Sequence, residues 1–107
     1  MQDFNIKCLK SGYDIAIIGS GLSGLICGEI LSREGYKVVI LEKNNQIGGC
    51  LQTFERNGCI FDTGLHYFGG FEKDQILYRY FKYLGIADKL ELKKMDEAGF
   101  DLVAFEG

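Results

Sequence analysis

Three glycines and one acid are the residues of this chain whose types and spacing point to chemistry. The run Gly19-Ser20-Gly21-Leu22-Ser23-Gly24 has the GxGxxG spacing, and Glu42 stands about twenty residues further on. The chemistry this pattern can do is the capture of a diphosphate and a ribose. Gly19 permits a tight turn, Gly21 lets the backbone come close to a pyrophosphate, and Gly24 lets a following helix lie close on the preceding strand. A helix opening near Leu22 would aim its unpaired N–H groups and the positive end of its dipole at the phosphates, so anion binding needs no lysine. A carboxylate at position 42 can accept both hydroxyls of a ribose, and it would repel a ribose phosphate.

The surrounding residues supply the elements such a site needs. Ile15 to Ile18 is an unbroken apolar run, as expected of a parallel strand covered on both faces. Gly28 sits one helical turn beyond Gly24 and extends the flat face of the helix. Gly35 marks the helix end, and Lys37 to Leu41 reads as a second buried strand that delivers Glu42 at its carboxyl end. A GxGxxG turn alone is weak evidence, because glycine-rich turns are common. Strand, turn, helix, strand and acid together make a βαβ nucleotide-binding unit and leave an ordinary glycine-rich turn as the poorer account.

Composition narrows the function classes. The chain has 107 residues, enough for one small core, and is 47% hydrophobic and 25% charged. A net charge of −3 argues against a nucleic-acid surface, which needs clustered Lys and Arg; the only basic cluster, Lys89, Lys93 and Lys94, is interrupted by Glu91. Cys8, Cys27, Cys50 and Cys59 form no CxxC pair and have no histidine at metal-ligand spacing, so no metal site is expected, and Cys27 is expected to be a small buried hydrophobe. No segment approaches the length of a membrane-spanning apolar helix, and the reading is of a reduced, cytoplasmic protein.

Beyond Glu42, Asn44-Asn45-Gln46 leaves the strand, and Gly48-Gly49 is placed to carry the chain over the nucleotide with its amides exposed. Leu51 to Arg56 and Cys59 to Asp62 flank Asn57-Gly58, a strong hairpin signal. The stretch Asp62 to Gly70 is irregular and glycine-rich, and holds the single histidine, His66. Asp74 is expected to cap a helix from Gln75 to Leu84 that ends at Gly85, with Ile76, Leu77, Tyr80, Phe81 and Leu84 as its core stripe. Tyr67, Phe68, Phe71, Tyr78 and Tyr83 add more aromatics than so small a core hides. Two last strands are expected at Lys89 to Lys94 and Phe100 to Phe105, joined by a turn at Asp96 to Gly99.

With Gly19-Ser20-Gly21-Leu22-Ser23-Gly24, Leu41-Glu42-Lys43, Gly48-Gly49-Cys50-Leu51-Gln52-Thr53 and Phe61-Asp62-Thr63-Gly64-Leu65-His66-Tyr67 in view, the chain resembles the amino-terminal part of FAD-dependent oxidoreductases of the group containing phytoene desaturases, carotenoid isomerases and retinol saturase. The resemblance runs from about Asp14 to Gly70 and more faintly beyond. It implies an α/β, Rossmann-like βαβ unit with a small β-hairpin and an additional helix, truncated before the substrate domain. Residues 1–12 would be a leader and 13–107 the amino-terminal part of an FAD-binding domain. FAD is the implied cofactor, with Gly19, Gly21 and Gly24 at the pyrophosphate, Glu42 at the adenosine ribose and Gly48 and Gly49 across its middle, and with Ser20, Leu22, Ser23 and Lys43 as further cofactor-binding residues. Many relatives carry arginine after the Gly-Gly pair; Cys50 stands there in this chain and supplies no cationic clamp.

The implied reaction is desaturation, saturation or isomerisation of an apolar, polyene-like skeleton by the full-length enzyme, with this part alone inactive. The implied partners are FAD and that small molecule, with room for a peripheral membrane contact and none for nucleic acid. No catalytic residue is assigned within the chain. An NAD-dependent dehydrogenase would share the turn and Glu42 but has no use for Gly48-Gly49, a non-catalytic nucleotide-binding module would need no substrate domain, and amine-oxidase-like flavoenzymes would differ only in substrate.

Overall fold

The computed structural model describes residues 11–105, so residues 1–10 of the expected leader lie outside the described residues. Strand β1 (Ile15–Ile18), helix α1 (Leu22–Arg33) and strand β2 (Val38–Leu41) form the βαβ unit, with β1 and β2 parallel and Ile15 opposite Val38. Helix α1 packs on both strands. It closes with Gly35 in the left-handed region at φ +92°, where the Gly35 and Tyr36 amides donate back to the carbonyls of Ser32 and Leu31. That pair of bonds satisfies carbonyls which the helix end would otherwise leave open.

Burial in β1 differs from the expectation. Ile15 and Ile17 are half-buried under α1, but Ala16 and Ile18 are exposed, Ile18 at 90%. Successive strand side chains point to opposite faces, and α1 covers only one of them. Cys27 is likewise exposed rather than buried, because α1 turns Gly24 and Gly28 to the strands and leaves Cys27 on its open flank.

Strands β3 (Thr53–Arg56) and β4 (Cys59–Asp62) pair antiparallel through a two-residue turn in which Asn57 and Gly58 both have positive φ, as a type I′ hairpin requires. Phe54 and Phe61 stack across the pair with ring centroids 5.3 Å apart. A 3-10 turn at Gly49–Leu51 precedes the hairpin and takes up the Leu51 expected in its first strand.

Helix α2 spans Ile76–Tyr83 and ends, like α1, on a left-handed glycine, with the Gly85 and Ile86 amides bonded back to Lys82 and Phe81. Asp74 does not cap it. The Gln75 amide and side chain close a turn on Glu72, which puts Asp74 in the left-handed region at φ +74° instead. The buried face is also rotated from the expected stripe: Leu77, Tyr78, Phe81 and Leu84 are half-buried, while Ile76 and Tyr80 are exposed. Edge-to-face contacts of Phe71 with Phe68, Tyr78 and Phe81 hold the helix in that rotation. Arg33, at the end of α1, ties the two helices together by donating to the carbonyls of Tyr83 and Leu84 at the carboxyl end of α2.

The two expected strands at Lys89 to Lys94 and Phe100 to Phe105 do not form. Ala87–Lys89 is a 3-10 turn, and the chain beyond it forms no backbone ladder with another segment among the described residues, which a strand requires. The turn near Asp96 is present, with the Ala98 amide donating to the Asp96 carboxylate, and Phe100 packs edge-on against Tyr67.

Candidate dinucleotide-binding site

The sequence-predicted residues converge at the carboxyl ends of β1 and β2. Gly19 leaves β1 with φ +95°, a conformation open to glycine, and its amide donates to the Leu41 carbonyl at 2.7 Å, which fixes the turn against the tip of β2. A Cβ on Gly24 would lie 2.1 Å from the Gly19 carbonyl oxygen, and one on Gly28 would lie 2.8 Å from the Ile40 methyl end. The small residues therefore do let α1 close onto the turn and strands. At Gly21 an added Cβ would meet nothing within 4 Å, so the backbone faces open space at the point where a phosphate would approach.

Leu22, Ser23 and Gly24 form the first turn of α1. Among the described residues, the amides of Ser23 and Gly24 donate to no protein group, as is usual for a helix start, and they remain available to an anion. Leu22 is exposed at 54% beside them. The residues fit a dinucleotide: open backbone at Gly21, free amides behind it, and a carboxylate at the neighbouring strand tip.

That carboxylate is Glu42, which points at the turn. Its Oε2 accepts the Ser20 amide at 2.9 Å and the Ser20 hydroxyl at 2.6 Å, and its Oε1 accepts the Asn44 amide at 2.9 Å. The Ser20 hydroxyl, then the Asn44 and Ser20 amides, hold the Glu42 pKa down to about 2 from an ordinary 4.5. Glu42 is thus a fixed anion whose oxygens already have protein donors, with lone pairs left over for ribose hydroxyls. Sequence reasoning missed these donors. The legible signal was a hydroxyl residue inside the turn and an asparagine two residues beyond the acid. Lys43 is exposed and, among the described residues, makes no ion pair.

Gly48 and Gly49 sit directly on the turn. The Gly48 amide donates to the Ser20 carbonyl at 2.9 Å in an isolated parallel bridge between Gly21 and Gly48, and a Cβ on Gly49 would lie 3.0 Å from the Gly21 Cα. The expectation that both amides of the pair stay exposed is therefore corrected: the bridge consumes that of Gly48. Gly48 has φ +111° and is buried, which explains glycine there. Gly64 is a further close approach that the sequence alone did not explain. A Cβ there would lie 2.6 Å from the Cys50 carbonyl oxygen, and Thr63 donates to the Gln52 carbonyl through both its amide (3.0 Å) and its hydroxyl (2.6 Å). His66 and Cys50 are both exposed.

Comparison with known proteins agrees with this geometry. The family described as NAD(P)-binding Rossmann-like domain matches residues 17–84. Human all-trans-retinol 13,14-reductase is 36% identical over 110 residues, which cover 99% of this chain and 17% of that protein. The 4,4'-diapophytoene desaturase (4,4'-diaponeurosporene-forming) of Staphylococcus aureus (strain COL) is 42% identical over 50 residues, covering 47% of this chain and 10% of the desaturase. Among solved structures, a protein from Pyrococcus furiosus superposes with a TM-score of 0.56 at 31% identity, over 66% of this chain and 18% of that one. The chain thus spans less than a fifth of the length of each of these three relatives. With its glycine turn, its helix start and its strand-tip acid all in place, the chain belongs to the family of NAD(P)-binding Rossmann-like domains.

Proposed function

We propose that this chain is the FAD-binding part of a flavin-dependent oxidoreductase acting on an apolar, polyene-like substrate. The observation that carries the choice of FAD is the bridge between Gly48 and Gly21. A dinucleotide site needs only the turn, the helix start and the acid. Here a second glycine segment is laid across the turn and anchored by Thr63 and Gly64, which suits a longer cofactor lying beneath it. The names of the relatives, a retinol reductase and a diapophytoene desaturase, support a polyene as the substrate class.

When bound, FAD would supply the hydride and electron transfer. The chain's own residues do the holding: the Ser23 and Gly24 amides and the dipole of α1 at the pyrophosphate, Glu42 at the adenosine ribose, and Gly48-Gly49 over the middle.

An absorbance spectrum of the intact protein, followed by identification of the released cofactor, tests this reading. Flavin bands and stoichiometric FAD are expected, and Gly21→Asp, which puts bulk and negative charge into the open space before the turn, should leave the protein colourless. A colourless wild-type protein that binds NAD instead would refute the flavin reading.

A further inference from the structure

We propose that Ser20 is a positioning residue for nucleotide selection: its hydroxyl locks the Glu42 carboxylate against the glycine turn, so that the site takes a ribose with free hydroxyls and rejects one bearing a 2′-phosphate. The inference rests on the dinucleotide reading above and extends it to a residue whose side chain that reading does not use.

Ser20 is the most buried side chain of the described residues, at 2% exposure, and its hydroxyl meets one acceptor, Glu42 Oε2 at 2.6 Å. That is a short, charge-assisted bond. A carboxylate at a strand tip would ordinarily rotate about its side-chain torsions and swing aside from an approaching phosphate. Here rotation would strip the buried Ser20 hydroxyl of its acceptor, along with the Ser20 amide on the same oxygen and the Asn44 amide on the other. Leaving the hydroxyl and amide of buried Ser20 unpaired is costly, whereas the exposed Asn44 amide could turn to water. The carboxylate is therefore fixed in position and ionised, and the rejection of phosphate is built into the turn as well as into the acid.

The test compares ADP-ribose with its 2′-phosphate as calorimetric probes of the flavin-free intact protein. Wild type, Ser20→Ala, Glu42→Gln and the double variant form a cycle, with Ser20→Gly as a second replacement the glycine turn accommodates. Ser20→Ala should weaken ADP-ribose binding on the order of tenfold and narrow the preference over the 2′-phosphate by a similar factor. In the Glu42→Gln background the same change should add nothing, since Ser20 acts through Glu42. An equal loss in both backgrounds, or an unchanged preference in Ser20→Ala and Ser20→Gly, overturns the positioning role. Failure of the wild type to bind ADP-ribose at all would instead overturn the underlying dinucleotide reading.

Discussion

Gly24→Ala is the most direct probe of how the turn and α1 are built. The new methyl would sit 2.1 Å from the Gly19 carbonyl oxygen and 3.3 Å from its carbon, against roughly 3.4 Å or more in ordinary contacts. Helix start and turn must therefore part by over an ångström. Both sides of the clash are backbone, so no rotamer change relieves it. Overpacking of this kind costs about 1–3 kcal/mol, and a backbone clash belongs at the upper end, near 3 kcal/mol. Gly28→Ala is the matched control one turn along the same face. Its methyl would meet the Ile40 Cδ1 at 2.8 Å, the mobile end of a side chain, and alanine recovers roughly 1 kcal/mol of helix propensity over glycine. Gly28→Ala should stay within about 1 kcal/mol of wild type, by that offset. Urea denaturation of the intact protein followed by circular dichroism reads both, and the flavin content of the purified variants reads the site. A Gly24→Ala protein as stable as Gly28→Ala, with its cofactor retained, would refute the close seating of α1 on the turn.

Two further outcomes follow from the same contacts. Glu42 is held at about 2 in the folded chain against an ordinary 4.5, so its contribution to stability is present above pH 4.5 and is lost as the pH falls toward 2. The stability difference between wild type and Glu42→Gln, measured by urea denaturation at a series of pH values, should be level above about 4.5 and shrink below it; a difference that stays level through that window would show that Ser20 and Asn44 do not hold the anion. Gly64→Ala places a methyl 2.6 Å from the Cys50 carbonyl and should loosen the segment that bridges onto the turn, lowering flavin content and exposing Asn45 to Gln52 to proteolysis while the βαβ unit keeps its helix signal. Full flavin content in that variant would sever Gly64 from the site.

The βαβ unit was legible because every one of its signals is local. The apolar run Ile15 to Ile18, the glycine at each helix end and the Asn57-Gly58 turn each specify backbone conformation within a few residues, and β1, the carboxyl ends of both helices and the hairpin turn stand where those residues put them. What the sequence hid depends on contacts far along the chain. The apolar run in β1 reads as covered on both faces, yet its burial alternates because, among the described residues, α1 packs on one face and no helix on the other. Leu90, Leu92, Phe100 and Leu102 have a strand-like composition but no pairing partner among the described residues, so propensity has nothing to act on. The rotation of α2 is set by Phe68 and Phe71, several residues before it, and by Arg33 from another helix. In the site, the glycines were readable by their type, whereas the Ser20 hydroxyl on Glu42 and the seating of Gly64 on Cys50 were not, since serine and glycine are common in turns for many reasons.

The site is for the most part made of main chain. Three separate segments, the turn at Gly19 to Gly24, the exit from β2 at Glu42 and the loop at Gly48 to Gln52, meet at the carboxyl ends of a parallel strand pair, where open α/β sheets bind their ligands. They meet through amides and carbonyls: Gly19 to Leu41, Gly48 to Ser20, Thr63 to Gln52. Among the described residues, the side chains that enter this network are the Ser20 hydroxyl, the Glu42 carboxylate, the Gln52 amide, which donates to the Gln46 carbonyl, and the Thr63 hydroxyl. A main-chain site constrains residue size and backbone conformation far more than side-chain chemistry. Leu22, exposed beside the helix start, should therefore accept other apolar residues with flavin retained, although it lies inside the motif, while Gly24 and Gly64 should not accept even a methyl. Tolerance at Leu22 together with intolerance at Gly24 is the substitution pattern that distinguishes backbone capture of a diphosphate from recognition by side chains.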